Sequence, residues 1–280
     1  SASGKPLLAN DPHLLISQPS RWYVMHLSAP GLNVAGVTIP GVPGVVIGHN
    51  RAIAWGMTNL MADDVDFFVE QVNYKDSSCT EQSGPVKMAM FVDSIFVRDS
   101  LPVVHTTWHT KRGPVITPVY PFAGVIRDSG RFSGPTAVSM RWAGQDPSDE
   151  ILAMYRVNHA SNWKEFERAY TTFGVPAQHL MYADTSGTIA GLAVGRIPIR
   201  GAGGALLPSR GSAVGSGWKG YVPNDMLPRT VNPEQRLIVA ANNKVTASFP
   251  WPISTLWESD EREKRILEML GEQAAYGPGD

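Results

Sequence analysis

Short apolar runs that alternate with polar positions occur along most of the chain, with glycine- and proline-containing turns between them. Successive side chains of a strand point to opposite faces, so this alternation predicts β-strands. The predicted strands are residues 6–10, 22–27, 32–39, 45–48, 52–55, 94–98, 102–109, 136–142, 179–183, 188–194 and 236–241. The pattern therefore predicts a β-rich protein whose strands are joined by tight turns.

Three stretches instead carry helix start signals followed by apolar residues three or four positions apart. Asp146, followed by Pro147, is predicted to cap the first helix, and Ser161 is predicted to cap the second. The third helix is predicted to begin at Ser259. Helices are thus expected only in the second half of the chain.

The composition limits the class of protein. The 280 residues carry a formal net charge of -1, 43% of them are hydrophobic and 18% are charged. The hydrophobic fraction is large enough for a substantial core, and the small net charge creates no electrostatic field that would attract nucleic acid. No apolar run reaches the roughly 20 residues of a membrane-spanning helix. We therefore expect a folded protein with no nucleic-acid partner and no membrane span, and the single Cys79 excludes an intrachain disulfide.

The segment from residue 54 to 70 combines two features of chemical interest. Gly56 ends a predicted strand, and a glycine there indicates that another group approaches the backbone closely. Asp63, Asp64 and Asp66 follow, and such closely spaced carboxylates repel each other unless solvent or a cation balances their charge. An oxygen-rich cluster suits a hard cation such as calcium, while the alternative is an acidic turn between two strands. The segment alone leaves both interpretations open.

Polar residues also stand at the ends of predicted apolar strands: His13, Asn59 and the pair Asn242 and Asn243. An asparagine amide can donate a hydrogen bond to a developing oxyanion, and a histidine can relay a proton near neutral pH. Taken singly, each is equally well explained as a turn residue. The sequence contains no Gly-x-Ser-x-Gly, nucleotide-binding or His-Glu-x-x-His zinc motif that would indicate another enzyme class.

Longer blocks of the sequence together resemble the penicillin acylase family, and they occur in the family's order. The blocks are residues 4–14, 48–56, 63–66, 218–223, 240–243 and 262–266. The family belongs to the N-terminal nucleophile hydrolases, so the resemblance implies an α+β fold, the αββα sandwich. It also implies hydrolysis of a linear amide, of a penicillin or another N-acyl compound, through an acyl-enzyme on an N-terminal serine. Family members are exported precursors that cut themselves into two chains, which implies a periplasmic or secreted location.

The resemblance implies roles for four residues. His13 matches the residue near the nucleophile that helps to polarise its hydroxyl, and Asn59 matches the position whose backbone N–H serves the oxyanion hole. Asn242 matches the asparagine whose side chain completes that hole. Arg262 matches an arginine in the surroundings of the active site, although a surface charge at a helix start is the alternative.

The resemblance also implies a structural calcium ion. Asp63, Asp66 and the carbonyl of Val65 match calcium ligands of the family, and Ala205 lies near the position of another carbonyl ligand. The remaining ligands of the family cannot be placed in this sequence. A calcium ion is therefore expected only if other segments complete its ligand set.

Ser1 is expected not to be the nucleophile. By comparison with the family, residues 1–5 correspond to the turn that follows the nucleophile strand. We therefore expect residues 1–280 to be an incomplete internal part of the β chain, a single β-rich region with a strand-rich excursion at 67–140. The expected partners are the α chain, the remainder of the β chain and a small-molecule N-acyl substrate, and the fragment alone is expected to be inactive.

Two other functions are compatible with the same residues. Relatives with the same chemistry deacylate acyl-homoserine lactones, and the acyl pocket would distinguish this activity. Met25, Met57 and Met61 are candidates for lining that pocket, although core packing is the simpler role for each. The second alternative is a β-rich binding module without catalytic activity.

Overall fold

The fold is that of a computed structural model, which describes residues 1–124, 134–201, 206–273, 275–277 and 279. These residues form seventeen β-strands and three α-helices, numbered here in chain order. The strands are β1 Tyr23–Ala29, β2 Leu32–Thr38, β3 Ile47–Asn50, β4 Ile53–Asn59, β5 Val65–Asn73, β6 Ser78–Glu81, β7 Gly84–Lys87, β8 Ala89–Ile95, β9 Val103–Thr110, β10 Gly113–Pro114, β11 Thr136–Trp142, β12 Gln178–Asp184, β13 Ile189–Val194, β14 Pro198–Arg200, β15 Ser209–Arg210, β16 Trp218–Tyr221 and β17 Arg229–Val231. The helices are α1 Glu150–His159, α2 Trp163–Ala169 and α3 Glu261–Gly271. None of the described helices is long and apolar enough to cross a membrane.

Contacts within the chain define two compact units. Unit 1 consists of Ser1–Ala62, Pro147–Ile197 and Val222–Asp280, and unit 2 consists of Asp63–Asp146 and Pro198–Tyr221. Compact units of one chain need not fold independently, so the predicted single region with an excursion at 67–140 stays a prediction.

Unit 1 is built on a seven-stranded sheet in the order β1-β2-β3-β4-β12-β13-β17, with every neighbouring pair antiparallel. Trp55 and Tyr182, on neighbouring strands, pack with Val157 of α1 and Phe166 of α2 in one buried core. The indole Nε1 of Trp55 donates to the carbonyl of Val46 at 2.8 Å, so its polar atom is satisfied inside the core. Two helices on one face of the sheet therefore fix the position of β4, the strand that leads to Asn59.

Unit 2 is centred on β5. Its five-stranded sheet has the order β11-β5-β6-β7, and β15 pairs in parallel with β5. A three-stranded sheet, β10-β9-β8, and a two-stranded sheet, β14-β16, complete the unit. A small buried cluster of Val72, Cys79, Met88 and Ala137 lies between β5 and its neighbours.

Two predicted strands, residues 6–10 and 236–241, do not form. The outer edge of β13, which 236–241 could have extended, is taken by β17. Beside 6–10, the edge of β4 donates the N–H of Met57 to the side chain of Asn10, and no backbone ladder forms there. In the first case another strand fills the position in the sheet, and in the second a side chain takes the place of a ladder; alternation in the sequence reveals neither.

The helix caps also differ from the prediction. Asp149, not Asp146, caps α1, since its Oδ1 accepts the N–H of Leu152 at 2.9 Å. The carboxylate of Asp146 is instead engaged by Arg141 at 2.6 Å and by the Tyr221 hydroxyl at 2.5 Å. Asn162, not Ser161, caps α2, and α3 begins at Glu261 after Asp260. The start signals therefore located each helix to within a few residues.

Candidate active site

The four residues predicted to form the site lie in one chain of hydrogen bonds within unit 1. Asn242 donates from Nδ2 to the backbone carbonyl of Asn59 at 2.9 Å. Arg262 donates from Nη1 to Oδ1 of Asn242 at 3.2 Å, and its Nη2 lies 3.1 Å from Nδ1 of His13. Two residues from the first quarter of the chain and two from its last fifth are thus brought together, while their chemical roles stay predictions.

The end of β4 presents the backbone of Asn59 at an open edge. Leu60 donates its N–H to the carbonyl of Ala177 at 3.2 Å, toward β12. Because successive N–H groups of a strand point to opposite sides, the N–H of Asn59 points away from β12, like that of Met57. On that side β3 pairs with β4 only as far as Trp55, so no strand of the described residues continues beside Asn59. This N–H is therefore placed where a substrate oxygen could reach it.

The backbone around Asn242 is held on both sides. Asn242 has a φ of 63°, a left-handed conformation that asparagine adopts more readily than most residues. Its carbonyl accepts the N–H of Glu258 at 3.1 Å, and the side chain of Asn243 accepts the N–H of Ala241 at 2.9 Å. Turn-type hydrogen bonds thus fix this asparagine without the strand that the sequence predicts before it.

Arg262 decides which end of the Asn242 amide faces Asn59. A guanidinium only donates, so the atom of Asn242 that it contacts must be the carbonyl oxygen Oδ1. The Nδ2 group then points to Asn59, where one of its two N–H bonds is used in the described structure. The second N–H of this amide has no hydrogen-bond acceptor among the described residues.

Asn10 joins the segment before His13 to β4, and sequence reasoning missed it. Its Oδ1 accepts the N–H of Met57 at 2.7 Å. A Cβ on Gly56 would lie 2.6 Å from that oxygen, so only glycine allows the contact. The predicted close approach at Gly56 is therefore confirmed. The group that approaches it is the Asn10 side chain, and the position of this polar residue beside a proline-containing turn was the sequence feature that could have indicated it.

His179 lies behind the candidate site. It sits on β12 directly opposite Thr58, one residue before Asn59. Burial lowers the pKa of the His179 imidazole to about 4, so it is neutral at physiological pH. Met25 and Met57 pack against the core of unit 1, as the simpler interpretation of these methionines predicted.

Ser1 lies in an exposed turn. Its hydroxyl donates to the carbonyl of Lys5 and lies 3.0 Å from Oγ of Ser3. The next residue, Ala2, donates its N–H to the carbonyl of Tyr276 at 2.8 Å. These local contacts of Ser1 do not include any of the four site residues.

Residues 1–278 match the family described as Penicillin amidase. The chain belongs to the penicillin amidase family. Its relatives include the acyl-homoserine lactone acylase QuiP of Pseudomonas fluorescens (strain Pf0-1), 30% identical over 97% of this chain and 32% of that protein. The penicillin acylase 2 proenzyme of Pseudomonas sp. (strain SE83) is 31% identical over 100% of this chain and 35% of that protein. The chain thus spans about a third of the length of these curated relatives.

The fold is similar to that of a thermostable penicillin G acylase from Alcaligenes faecalis. The two structures align with a TM-score of 0.78 and 25% identity over 93% of this chain and 45% of the other. The predicted fold class, an α+β fold of the N-terminal nucleophile hydrolase type, is thereby confirmed.

In unit 2, the carboxylates predicted to bind calcium are paired with Arg200. Arg200 contacts Oδ1 of Asp63 at 3.1 Å and Oδ2 of Asp66 at 2.8 Å, and Trp218 also donates to Oδ2 of Asp66. Burial raises the pKa of Asp63 and of Asp64, and Arg200 offsets only part of this. Sequence reasoning missed this arginine as the counter-ion.

The described residues do not by themselves fit a calcium ion. Calcium takes about six to eight oxygen ligands, and Asp63, Val65 and Asp66 supply too few. No group of three or more His, Cys, Asp or Glu side chains in the described ranges is placed to hold a metal ion. Ala205, the other expected ligand, lies outside the described residues. Calcium binding stays a prediction, and no step below depends on it.

Sequence reasoning also missed a buried ion-pair network in unit 2. Glu70 is fully buried, and both of its oxygens lie 3.1 Å from Nη1 of Arg112. The same guanidinium contacts both oxygens of Glu81 at 2.8 Å, while Ser139 donates to Glu70 at 2.7 Å. The signal was present in β5, where alternation places Glu70 on the same face as the buried Phe68. These contacts give the network a structural role.

Proposed function

We propose that this chain supplies the oxyanion-binding part of an amidohydrolase that acts on a small N-acyl compound. The observation that carries the proposal is the hydrogen-bond chain from Asn59 through Asn242 and Arg262 to His13. In support, Nδ2 of Asn242 contacts the carbonyl of Asn59 at the strand end where the N–H of Asn59 points away from β12. A backbone N–H and an amide N–H together suit the negative oxygen of a tetrahedral intermediate.

In the proposed reaction, the hydroxyl of an N-terminal serine in the longer protein attacks the acyl carbonyl. The α-amine of that serine takes the hydroxyl proton through a water molecule, since a free α-amine has a pKa of about 8 and can act as a base at neutral pH. The oxyanion accepts hydrogen bonds from the N–H of Asn59 and from Nδ2 of Asn242. Collapse of the intermediate breaks the C–N bond, and the leaving amine takes the proton from the α-ammonium group. Water then hydrolyses the acyl-enzyme and regenerates the serine hydroxyl.

The nucleophile is proposed to come from a residue other than Ser1. The support is local, since the hydroxyl of Ser1 is used within its own exposed turn. The proposed partners are accordingly the α chain and the remaining β-chain segments of the same precursor, exported to the periplasm or secreted. We expect residues 1–280 alone to be inactive, and turnover that is abolished by Ser1→Ala would contradict this.

The central experiment is Asn242→Ala in the nucleophile-bearing protein, assayed on a chromogenic phenylacetyl amide. Loss of one oxyanion donor should lower kcat by about 10²–10³-fold with little change in KM. Asn73→Ala is the matched control, because among the described residues the Asn73 side chain accepts only the N–H of Lys75, in an exposed turn. Activity that survives in Asn242→Ala would refute the assignment. No activity in the unmodified protein would favour the non-catalytic binding module.

The substrate has two candidates, since this chain is similar both to a penicillin acylase and to an acyl-homoserine lactone acylase. A direct comparison of kcat/KM on penicillin G and on N-acyl homoserine lactones would separate them. Acyl chains of increasing length would then define the pocket.

The structural calcium ion is proposed separately. Thermal unfolding with and without EDTA tests it in the chain and in the nucleophile-bearing protein. A lower Tm in EDTA for the longer protein alone would support ligands from outside these residues. An unchanged Tm in both would refute it.

A further inference from the structure

Asp11 contacts His13 at the candidate site and has no assigned role. Its Oδ2 lies 3.3 Å from Nε2 of His13, on the other side of the ring from Arg262. Pro12 separates the two residues and restricts the backbone between them. Both nitrogens of the imidazole therefore have partners.

These partners determine which ring nitrogen carries the proton. Nη2 of Arg262 can only donate, so its contact with Nδ1 of His13 requires the tautomer in which Nδ1 is unprotonated. The proton of the neutral ring is then on Nε2, which faces Oδ2 of Asp11 at 3.3 Å. Asp11 therefore faces the N–H of the Nε2–H tautomer, and in this same tautomer Nδ1 of His13 can accept from Arg262.

The same contacts extend to the oxyanion donor. Arg262 lies between Nδ1 of His13 and Oδ1 of Asn242, and its contact with Oδ1 turns Nδ2 toward Asn59. We propose that Asp11 is a positioning residue: it holds His13 in the Nε2–H tautomer and thereby keeps Arg262 and the Asn242 amide in place. The inference rests on the proposed function for its catalytic meaning, but the geometry can be tested without turnover.

Asp11 and His13 are exposed, with side chains 89% and 67% accessible, so their pair contributes little to global stability. Asp11→Ala should therefore leave the fold intact while it changes the site. Asp11→Asn is the conservative variant, because its amide oxygen can still accept from Nε2–H. Asp99→Ala is the matched control, since Asp99 is an equally exposed aspartate that pairs with Arg98.

The experiment is ¹⁵N NMR of the chain at slightly alkaline pH, with His13 and the Asn242 side-chain NH₂ assigned. In the unmodified chain we expect the Nε2–H tautomer and slowed hydrogen exchange at Nδ2 of Asn242. Asp11→Ala should produce a mixture of tautomers and raise that exchange rate by roughly fivefold, the effect of losing one hydrogen bond. Asp11→Asn should restore both signals, and Asp99→Ala should change neither.

The proposal is overturned if Asp11→Ala retains the Nε2–H tautomer and the original exchange rate. It is also overturned if Asp11→Asn behaves like Asp11→Ala. An Nδ1–H tautomer in the unmodified chain or in Asp11→Asn would overturn the proposal as well, whether or not Asp11→Ala folds. In the nucleophile-bearing protein Asp11→Ala should lower kcat less than Asn242→Ala does. A null effect of Asn242→Ala would refute the proposed function and leave the NMR result standing.

Discussion

The half-buried His179 predicts how the stability of unit 1 depends on pH. The imidazole titrates at 6.5 in the unfolded chain and at about 4 in the folded protein, because burial disfavours its charged form. Between these values the unfolded state binds a proton that the folded state does not. The stabilising contribution is therefore complete above pH 6.5, falls as the pH decreases and is lost once the pH is below about 4.

The magnitude follows from the same two pKa values. Their difference corresponds to a total of roughly 3 kcal/mol of unfolding free energy. Roughly 2 kcal/mol of this should be lost between about pH 7 and about pH 5, where only the unfolded state gains the proton.

The assay is urea unfolding followed by tryptophan fluorescence at several pH values. His179→Gln removes the titrating group and should flatten the pH dependence of the unfolding free energy over this range. His26→Gln is the control, because His26 is exposed on β1 and its loss should leave the slope unchanged. Equal slopes for the unmodified chain and His179→Gln would refute the reasoning, as would an NMR titration that places the pKa of His179 near 6.5.

Two further predictions concern residues that the structure places in close contact. Gly56→Ala should displace Asn10, lower the unfolding free energy by about 1–3 kcal/mol and speed hydrogen exchange of the Met57 amide. Gly271→Ala is the control and should change neither quantity, because the space around Gly271 is open. An unchanged exchange rate at Met57 in Gly56→Ala would contradict the contact. Arg112→Met should cost about 3–5 kcal/mol in urea unfolding, because it leaves the buried Glu70 without a counter-ion. Arg98→Met removes an exposed pair with Asp99 and should leave the unfolding free energy almost unchanged. Equal losses of unfolding free energy in the two variants would show that the buried network stabilises the protein no more than an exposed pair does.

The candidate site could be predicted in part from short segments. Gly56 signalled a close approach because a missing side chain is visible in the sequence itself. His13, Asn59, Asn242 and Arg262 were identified by their positions in blocks that resemble a family. None of this required knowledge of which strands are neighbours.

The charged interior could not be predicted in the same way. Whether Glu70 and Asp66 are paired depends on Arg112 and Arg200, which lie 42 and 134 residues away along the chain. A charged residue in a strand looks the same in the sequence whether its partner is an arginine, a metal ion or water.

Local periodicity and turn chemistry by themselves determined most strands, the helix positions and the β-rich character of this protein, because these features depend on a few consecutive residues. Only the tertiary structure decided that β4 pairs with β12, that residues 236–241 remain outside the sheet, and that Arg262 joins Asn242 to His13. The physical reason is that distant segments compete for the same sheet edges and hydrogen-bond partners, and the winner is set by the packing of the whole chain.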